Sequence, residues 1–529
     1  MTIRRPRVTG SLRADKVTAG LAKEKLLFVG QKYLTGTSVS GVLVENILND
    51  NSWDTLFGKG SPIAEAIRRA RRVNGETQFD AIALDDNVAG GAATGTLNFH
   101  GQVDPLEKTR TMTVYIGSKK FGGYVIPILA GSSATDVGDL VAATINADAS
   151  ALVTAVNVLG LVTVTAKTKG LFGNGIGLRV DGLEPAREAL LPGTTLSIEV
   201  TKMSGGALDP VLASVFDVIG DNRYQGIVWQ FDDLTEVVDL LDSRFNVAND
   251  IQDGRAFYSF TDTLANHLTT LTALNTNSLC YNADKLVTKS KHGGPNILEI
   301  PFTKAAEFAA IRALRRTDGS ILGSTVISRS ANDSFGGAHM NSKPYFNTLL
   351  SDCLVPDIGD SWTDVEQGQI EDAGGFIMDA NSAFNSVITG DVTTTYKTDA
   401  AGNADLTWKY LNYVDTATAC REYIVANTRA QYPQYRATGG ALIPDVDSAN
   451  EASVASFVIE KIQELGDLAL LMRGTGTVNG EQVDYDKLHR EGLSVSLDVA
   501  TGQFSISAKL YIVTQFREAL YDFAIAFDV

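Results

Sequence analysis

The sequence predicts a mixed α/β protein: a discontinuous core around a mainly parallel sheet, an inserted β-rich domain, and a C-terminal α+β module ending in an extended strand. Three observations carry this. From Asp209 onward, short apolar runs near 226–231, 255–260 and 278–282 recur about every 25 residues, separated by amphipathic helical stretches, the rhythm of strand–helix–strand units. Residues 96–202 instead show short alternating runs such as Met112-Val114-Ile116 and Val162-Val164, bounded by glycine-rich stretches. The last nine residues alternate Tyr521, Phe523, Ile525, Phe527 and Val529 with Asp522, Ala524, Ala526 and Asp528. That period of two places the large apolar groups on one face of a strand.

At 529 residues the chain exceeds one hydrophobic core, and 44% hydrophobic with 20% charged residues is a globular balance. The net charge of −17 argues against duplex nucleic acid as a direct partner. No apolar run reaches the length of a membrane span and no signal peptide precedes the first strand, so no membrane insertion and a cytoplasmic origin are expected. Cys280, Cys353 and Cys420 lie far apart with no CxxC, which reads as reduced, buried thiols.

Residues 1–22 form an extended arm. Residues 1–25 hold seven basic side chains, among them Arg4, Arg5 and Arg7, against Asp15 and Glu24. A basic start on an acidic protein reads either as an arm that meets acidic surface on another copy or as a frayed terminus. The first core segment, 23–95, contains strands at 26–29 and 81–84 and a helix opened by Ser61-Pro62, a good N-cap followed by the favoured first residue. Arg68, Arg69, Arg71 and Arg72 load the face opposite Ile63 and Ile67, as a solvated or ion-pairing surface. A hinge at 86–95 leads to the inserted domain, 96–202, which is interrupted by one helix at about 136–146.

The second core segment, 203–450, carries helices at 209–219, 234–247 and 263–275. Strands at 386–397 and 406–414 flank a hairpin turn at Asp399–Asn403, and a helix follows at 416–431. The C-terminal module, 451–529, starts with a helix whose inner stripe is Val454, Phe457, Val458 and Ile462. A hairpin pairs Leu493–Val499 with Phe504–Ala508, and the terminal strand arm spans about 511–529. Burying each large side chain of the terminal strand contributes about 1.5–3 kcal/mol, while fixing each residue costs about 1–2 kcal/mol. Such a strand orders only against a surface already present, either in its own domain or, as a donated arm, in a neighbouring molecule.

A search for enzyme chemistry finds no complete motif. Gly58-Lys59-Gly60-Ser61 places Lys between the glycines, whereas a phosphate loop needs it directly before Ser or Thr; a helix cap explains these residues. Gly173-Asn174-Gly175-Ile176-Gly177 lacks a following helix and reads as a turn. The five histidines are dispersed without zinc-site spacing, and no GxSxG elbow occurs. Asp232-Asp233, after a predicted strand, is the best carboxylate pair and equally suits a helix start. No catalytic, cofactor-binding or metal-binding residues are assigned. One alternative stays open: an α/β enzyme or small-molecule-binding protein with a cleft near Asp232-Asp233.

Several stretches together resemble contractile phage tail sheath proteins of the Mu-like type. They are Leu56-Phe57-Gly58-Lys59-Gly60-Ser61-Pro62 with the Arg-rich helix, Val162–Lys167 running into Gly173-Asn174, and Gly205–Pro210. Gly220–Tyr224 follows, then Val392–Tyr396 with Leu411–Thr416, all in the family's order from about residue 26 to 430. The resemblance implies a structural, non-enzymatic subunit without cofactor, stacked in rings of six around a tail tube and linked through extended terminal arms. Contraction on a baseplate signal drives the tube through a host envelope. Implied partners are neighbouring subunits, the tube protein, and baseplate and tail terminator proteins. The implied place is a virion tail assembled in a bacterial cytoplasm, with a related phage-tail-like injection apparatus as the alternative setting. Under this resemblance the terminal strand becomes an arm, and Arg4, Arg5, Arg7, Tyr521, Phe523, Ile525, Phe527 and Val529 become the candidate interface residues.

Overall fold

The structure is a computed structural model. It describes residues 24–512 apart from 49, 103–109, 118–122, 182–195, 246, 248–250, 288–298, 318–344, 346–347, 351–359, 381–385, 434, 445, 468–469 and 479–480. The chain divides into two compact units, a larger one containing 23–318 and 343–415 and a smaller one containing 416–514.

The larger unit begins with β1 (Lys25–Gln31), β2 (Leu43–Val44), α1 (Ser52–Phe57), α2 (Pro62–Val73) and β3 (Gln78–Leu84). The next stretch holds β4 (Ala92–His100), β5 (Arg110–Ile116), β6 (Tyr124–Ile128), α3 (Ala134–Ala147), β7 (Val153–Val158), β8 (Leu161–Lys169), β9 (Leu178–Asp181) and β10 (Ser197–Ser204). Then come α4 (Ala213–Ile219), β11 (Gly226–Trp229), α5 (Thr235–Arg244), β12 (Arg255–Asp262), α6 (Leu264–Ala273), β13 (Leu279–Lys285) and α7 (Pro301–Thr317). The unit closes with α8 (Asp364–Asp372), β14 (Gly375–Phe376), β15 (Met378–Ala380), β16 (Ser386–Ile388) and the start of α9 (Leu411–Gln431).

Its central sheet has seven strands in the order β14-β13-β12-β11-β1-β3-β2, parallel throughout except for the β2–β3 edge pair. The apolar run of β1 explains why it lies inside. Leu26 and Phe28 join the layer formed by α2 and α7, whereas Leu27 and Val29 join the layer of α4, α5, α6 and α8. A strand covered on both faces reads as a continuous apolar run rather than as an alternation. The chain leaves β1 for β3 through α2 on one face. It passes from β11 to β12 and on to β13 through α5 and α6 on the other face. The winding therefore reverses between β1 and β11, and a crevice opens there at the carboxyl ends of the strands.

Residues 92–204 build two antiparallel sheets, β10-β4-β8-β7 and β6-β5-β9, with α3 packed beside β7. A reciprocal capping box between Ser133 and Asp136 fixes the start of α3. Leu97, Val162, Val164 and Val141 of this region belong to the same apolar cluster as α2 and α7. A polar knot also ties it to the parallel sheet. The Gln31 amide donates to Asp86 Oδ1 at 2.9 Å and to the Lys169 carbonyl at 2.7 Å, and Asp86 Oδ2 accepts from Lys169 N–H at 3.0 Å.

Of the two readings of the arginine face of α2, solvated or ion-pairing, the ion-pairing one holds at Arg69; other expectations need correction. Arg69 is 6% exposed and pairs with Glu299 and Glu307 of the α7 region, both at 3.2 Å. Arg71 donates to the carbonyls of Thr77 and Ile47 and lies 3.8 Å from the Phe79 ring centroid. The strand expected over 386–397 shrinks to β16, because the threonines after it bond through side chains. Thr394 Oγ1 donates to the Trp408 carbonyl, Thr395 Oγ1 to that of Thr276, and Thr395 N–H to that of Leu279, so pairing with the following stretch is reduced to a single bridge between Thr393 and Tyr410. The strand expected over 406–414 gives way to a turn closed by Asp405 Oδ1, which accepts from Thr407 N–H and Oγ1, and then to α9 from Leu411. That helix starts five residues before the expected 416. The turn at Asp399–Asn403 is present, with Gly402 in the left-handed region at φ +83°. The helix at 209–219 begins only at Ala213.

The smaller unit holds the rest of α9, then β17 (Arg436–Ala437), β18 (Ser448–Ala449), α10 (Glu451–Asp467), β19 (Thr475–Val478), β20 (Glu481–Asp484) and α11 (Tyr485–Glu491). It ends with the hairpin of β21 (Leu493–Asp498) and β22 (Gln503–Ala508). Its core is Cys420, Tyr423 and Ile424 of α9 packed on Val454, Val458, Ile462 and Leu465 of α10. Phe457 meets Tyr432 edge-on at 5.6 Å. Cys280 and Cys420 are buried free thiols, and burial pushes each up to about 12.

Candidate functional site

A cavity of about 360 Å³ lies at the carboxyl ends of β11 and β12, beside β1 and under the end of β10. Its inner surface is apolar and aromatic: Met203, Phe231 and Phe302 are almost fully buried, and Tyr258 is 5% exposed. The 3-10 turn Leu171–Gly175 forms the wall opposite the sheet. This turn is held because the Asn174 side chain donates to the Gly206 carbonyl at 3.0 Å and accepts from Gly206 N–H at 2.9 Å.

Two carboxylates face this space. Asp209 lies against the bare Cα of Gly170, and its Oδ1 accepts from Leu171 N–H at 2.7 Å. Burial, opposed by that hydrogen bond and reinforced by the charge of Asp232, raises Asp209 from the ordinary 3.8 to about 6. Asp232 sits at the mouth, where partial removal from water and then neighbouring Asp233 raise it as well. The pair read from the sequence thus splits. Asp233 Oδ1 accepts from Thr235 N–H at 3.2 Å at the start of α5, while Asp232 borders the cavity. Sequence reasoning missed Asp209 as the partner of Asp232 because it was read as a helix start.

Asp209 makes a pH prediction with a definite sign. A carboxyl raised in the folded state binds more protons folded than unfolded between pH 3.8 and about 6, so its charge opposes folding at neutral pH. Asp209→Asn is expected to melt higher than the parent at pH 7–8, the gap closing as pH falls through 6 toward 4. A melting temperature lowered by the substitution at pH 7.5 would contradict the strain assigned to this carboxylate.

In the smaller unit, the β21–β22 hairpin has six paired positions and a tight turn at Gly502, φ +70°. Asp498 Oδ1 accepts from Ala500 N–H at 2.9 Å and its Oδ2 from Thr501 Oγ1 at 2.8 Å, which explains the turn at Ala500-Thr501-Gly502. Leu493, Val495 and Phe504 pack against the α9–α10 core, yet Val499 and Ile506 remain exposed. Among the described residues no third strand pairs with this hairpin.

No family model matches the sequence. Over 419 residues the chain is 25% identical to the Mu-like prophage FluMu tail sheath protein of Haemophilus influenzae, covering 78% of this chain and 77% of that protein. The chain is similar to a Mu-like tail sheath protein along most of its length. Solved structures similar to the chain include the sheath tail protein of Desulfitobacterium hafniense, with TM-score 0.44, 11% identity, and 96% and 98% of the two chains covered. The sheath tail protein of Listeria innocua gives TM-score 0.44 and 10% identity over 94% of each chain. The contracted helical sheath of the anti-feeding prophage gives 0.40 and 11% over 98% of each.

Of the stretches that carry the resemblance, Ser61 caps α2, its Oγ accepting from Ala64 N–H at 3.4 Å. Gly60, at φ +80°, lets the chain pass within 2.3 Å, measured from an ideal Cβ, of the Ser150 carbonyl, a place where only glycine fits. The candidate interface residues Arg4, Arg5, Arg7, Tyr521, Phe523, Ile525, Phe527 and Val529, and Cys353, lie outside the described residues. Among the described residues no group of His, Cys, Asp and Glu is arranged to hold a metal ion, and no helix is long and apolar enough to cross a membrane.

Proposed function

We propose that the chain is a structural subunit of a contractile tail sheath, stacked in rings of six around a tail tube, whose contraction drives the tube through a host envelope. The observation that carries this is the similarity to a Mu-like tail sheath protein over more than three quarters of both chains. On this reading the subunit is not an enzyme. Contraction draws on packing that is metastable in the extended lattice, a switch between two arrangements of the same contacts. Its partners are neighbouring copies, the tube protein, and baseplate and terminator proteins of a virion tail assembled in the bacterial cytoplasm.

The β21–β22 hairpin suits the linking role. A two-stranded hairpin is marginal alone, and its edges, which pair with no further strand among the described residues, together with exposed Ile506 offer backbone and apolar surface to an added strand. The strand Tyr521–Val529 of a neighbouring copy has the alternation for that place. The basic start, with Arg4, Arg5 and Arg7, would meet acidic surface on another copy, making assembly dependent on ionic strength.

Electron microscopy of the purified protein across a salt series tests the proposal. Hollow tubes of regular width, fewer as salt screens the arms, are expected. Discrete particles under every condition that assembles other sheaths would favour the α/β ligand-binding alternative at the cavity instead.

A further inference from the structure

We propose that the cavity at the carboxyl ends of β11 and β12 binds an organic cation, an alkylammonium or alkylguanidinium group on an apolar stem. Its position is the crevice where the winding of a parallel sheet reverses, which is where such sheets take ligands. Its volume of about 360 Å³ falls in the range of small-molecule sites, about 300–1,000 Å³. The inner wall of Met203, Phe231, Phe302 and the Tyr258 ring matches a stem of methylenes or an aromatic ring, and aromatic faces also attract cations.

The polar groups set the sign of the charge. Asp209 projects into the space from the loop after β10, and Asp232 from the end of β11. The second and independent observation is Tyr258. Its side chain is 95% removed from solvent, lines the cavity, and lies within electrostatic reach of both carboxylates. Its hydroxyl has no hydrogen-bond partner among the described residues. A bound ammonium or guanidinium nitrogen between Asp209, Asp232 and Tyr258 would give that hydroxyl a partner. The other charged groups facing the cavity are Lys202 on β10, exposed at the rim, and Asp262 on β12. Asp262 is already engaged, its Oδ1 accepting from Thr263 N–H and from Asn266. Lys202 puts a like charge at the rim, which opposes an incoming cation. The carboxylate strained at Asp209 is what a cation would relieve.

Two sources supply this chemistry: a free amine, or a lysine or arginine side chain presented by a second copy of the chain. Titration calorimetry on the full-length protein with 1,5-diaminopentane and with 4-aminobutylguanidine tests the first source. Binding is expected at pH 7.5, weaker by tenfold or more in Asp209→Asn/Asp232→Asn, several-fold weaker in Tyr258→Phe, and several-fold tighter in Lys202→Met. It is also expected to weaken below pH 6 as Asp209 takes up a proton. If neither amine binds, tube formation by the folded double-Asn variant is compared with the parent. Lost or slowed assembly by a variant that melts no lower than the parent assigns the site to a basic side chain of another copy. Amine binding indifferent to both Asp substitutions, or no amine binding together with unaltered assembly, overturns the proposal.

Discussion

Arg312→Met is expected to destabilise the larger unit by about 3–5 kcal/mol, the loss typical of breaking a buried ion pair from one side. Arg312 on α7 is 3% exposed and grips Asp415 with two hydrogen bonds, Nε to Oδ2 at 2.8 Å and Nη2 to Oδ1 at 2.6 Å. Its Nη1 donates to the Gln225 carbonyl at the head of β11, and Glu24 lies 3.6 Å away beside the start of β1. One guanidinium thus fixes the first residues of two neighbouring parallel strands against α7 and α9. Methionine keeps most of the volume but takes the guanidinium away from two carboxylates that are each about 2% exposed. All four tryptophans, Trp53, Trp229, Trp362 and Trp408, belong to the larger unit. Tryptophan fluorescence in a urea titration therefore reports on this unit without interference from the smaller one. Adding Asp415→Asn to the variant should recover part of the loss, a coupling that a double-mutant cycle measures. A cost below about 1 kcal/mol for Arg312→Met would mean that water reaches the cluster.

The parts of this fold that were legible are those whose signal is local. Leu26–Val29 and Gly226–Trp229 are apolar on every residue because helices cover both sides of the sheet. Ser61-Pro62 announced α2 because a cap is a matter of adjacent residues. What escaped depends on residues far apart in the chain. Arg69 reads as solvated or ion-pairing in the sequence, but its burial and its partners are not legible there, because Glu299 and Glu307 lie more than 200 positions away. Thr393–Thr395 has strand-like composition, but its pairing stops at a single bridge between Thr393 and Tyr410, and the hydroxyls of Thr394 and Thr395 turn to the carbonyls of Trp408 and Thr276. The cavity was half seen. Asp232 was picked out by its place after a strand, whereas Asp209 and Tyr258 meet it only through the fold.

A chain ending at Leu520 is expected to stay soluble and cooperatively folded while losing the ability to form tubes. If Tyr521–Val529 is donated to a neighbour, its apolar side chains contribute nothing to the stability of its own subunit. The smaller unit already has a core without it, formed by Cys420 and Tyr423 on α9 and by Val454, Val458, Ile462 and Leu465 on α10. The β21–β22 hairpin rests on that core through Leu493, Val495 and Phe504. Removing the last nine residues should therefore shift the calorimetric melting temperature by no more than about 2 °C, as a change of well under 1 kcal/mol would do. Phe523→Asp with Phe527→Asp should abolish tubes equally, since each charge placed on the face that meets the neighbour costs several kcal/mol unless it is neutralised. Calorimetry is the right monitor because the smaller unit contains no tryptophan. Assembly should also be poisoned in trans. A truncated chain mixed with the full-length one retains a free hairpin edge but donates no strand, so it should cap growing tubes and shorten them in proportion to its share. A melting temperature that falls by about 10 °C on truncation would place the strand inside its own subunit and end the arm proposal. Full-length tubes from the truncated chain alone would end it as surely.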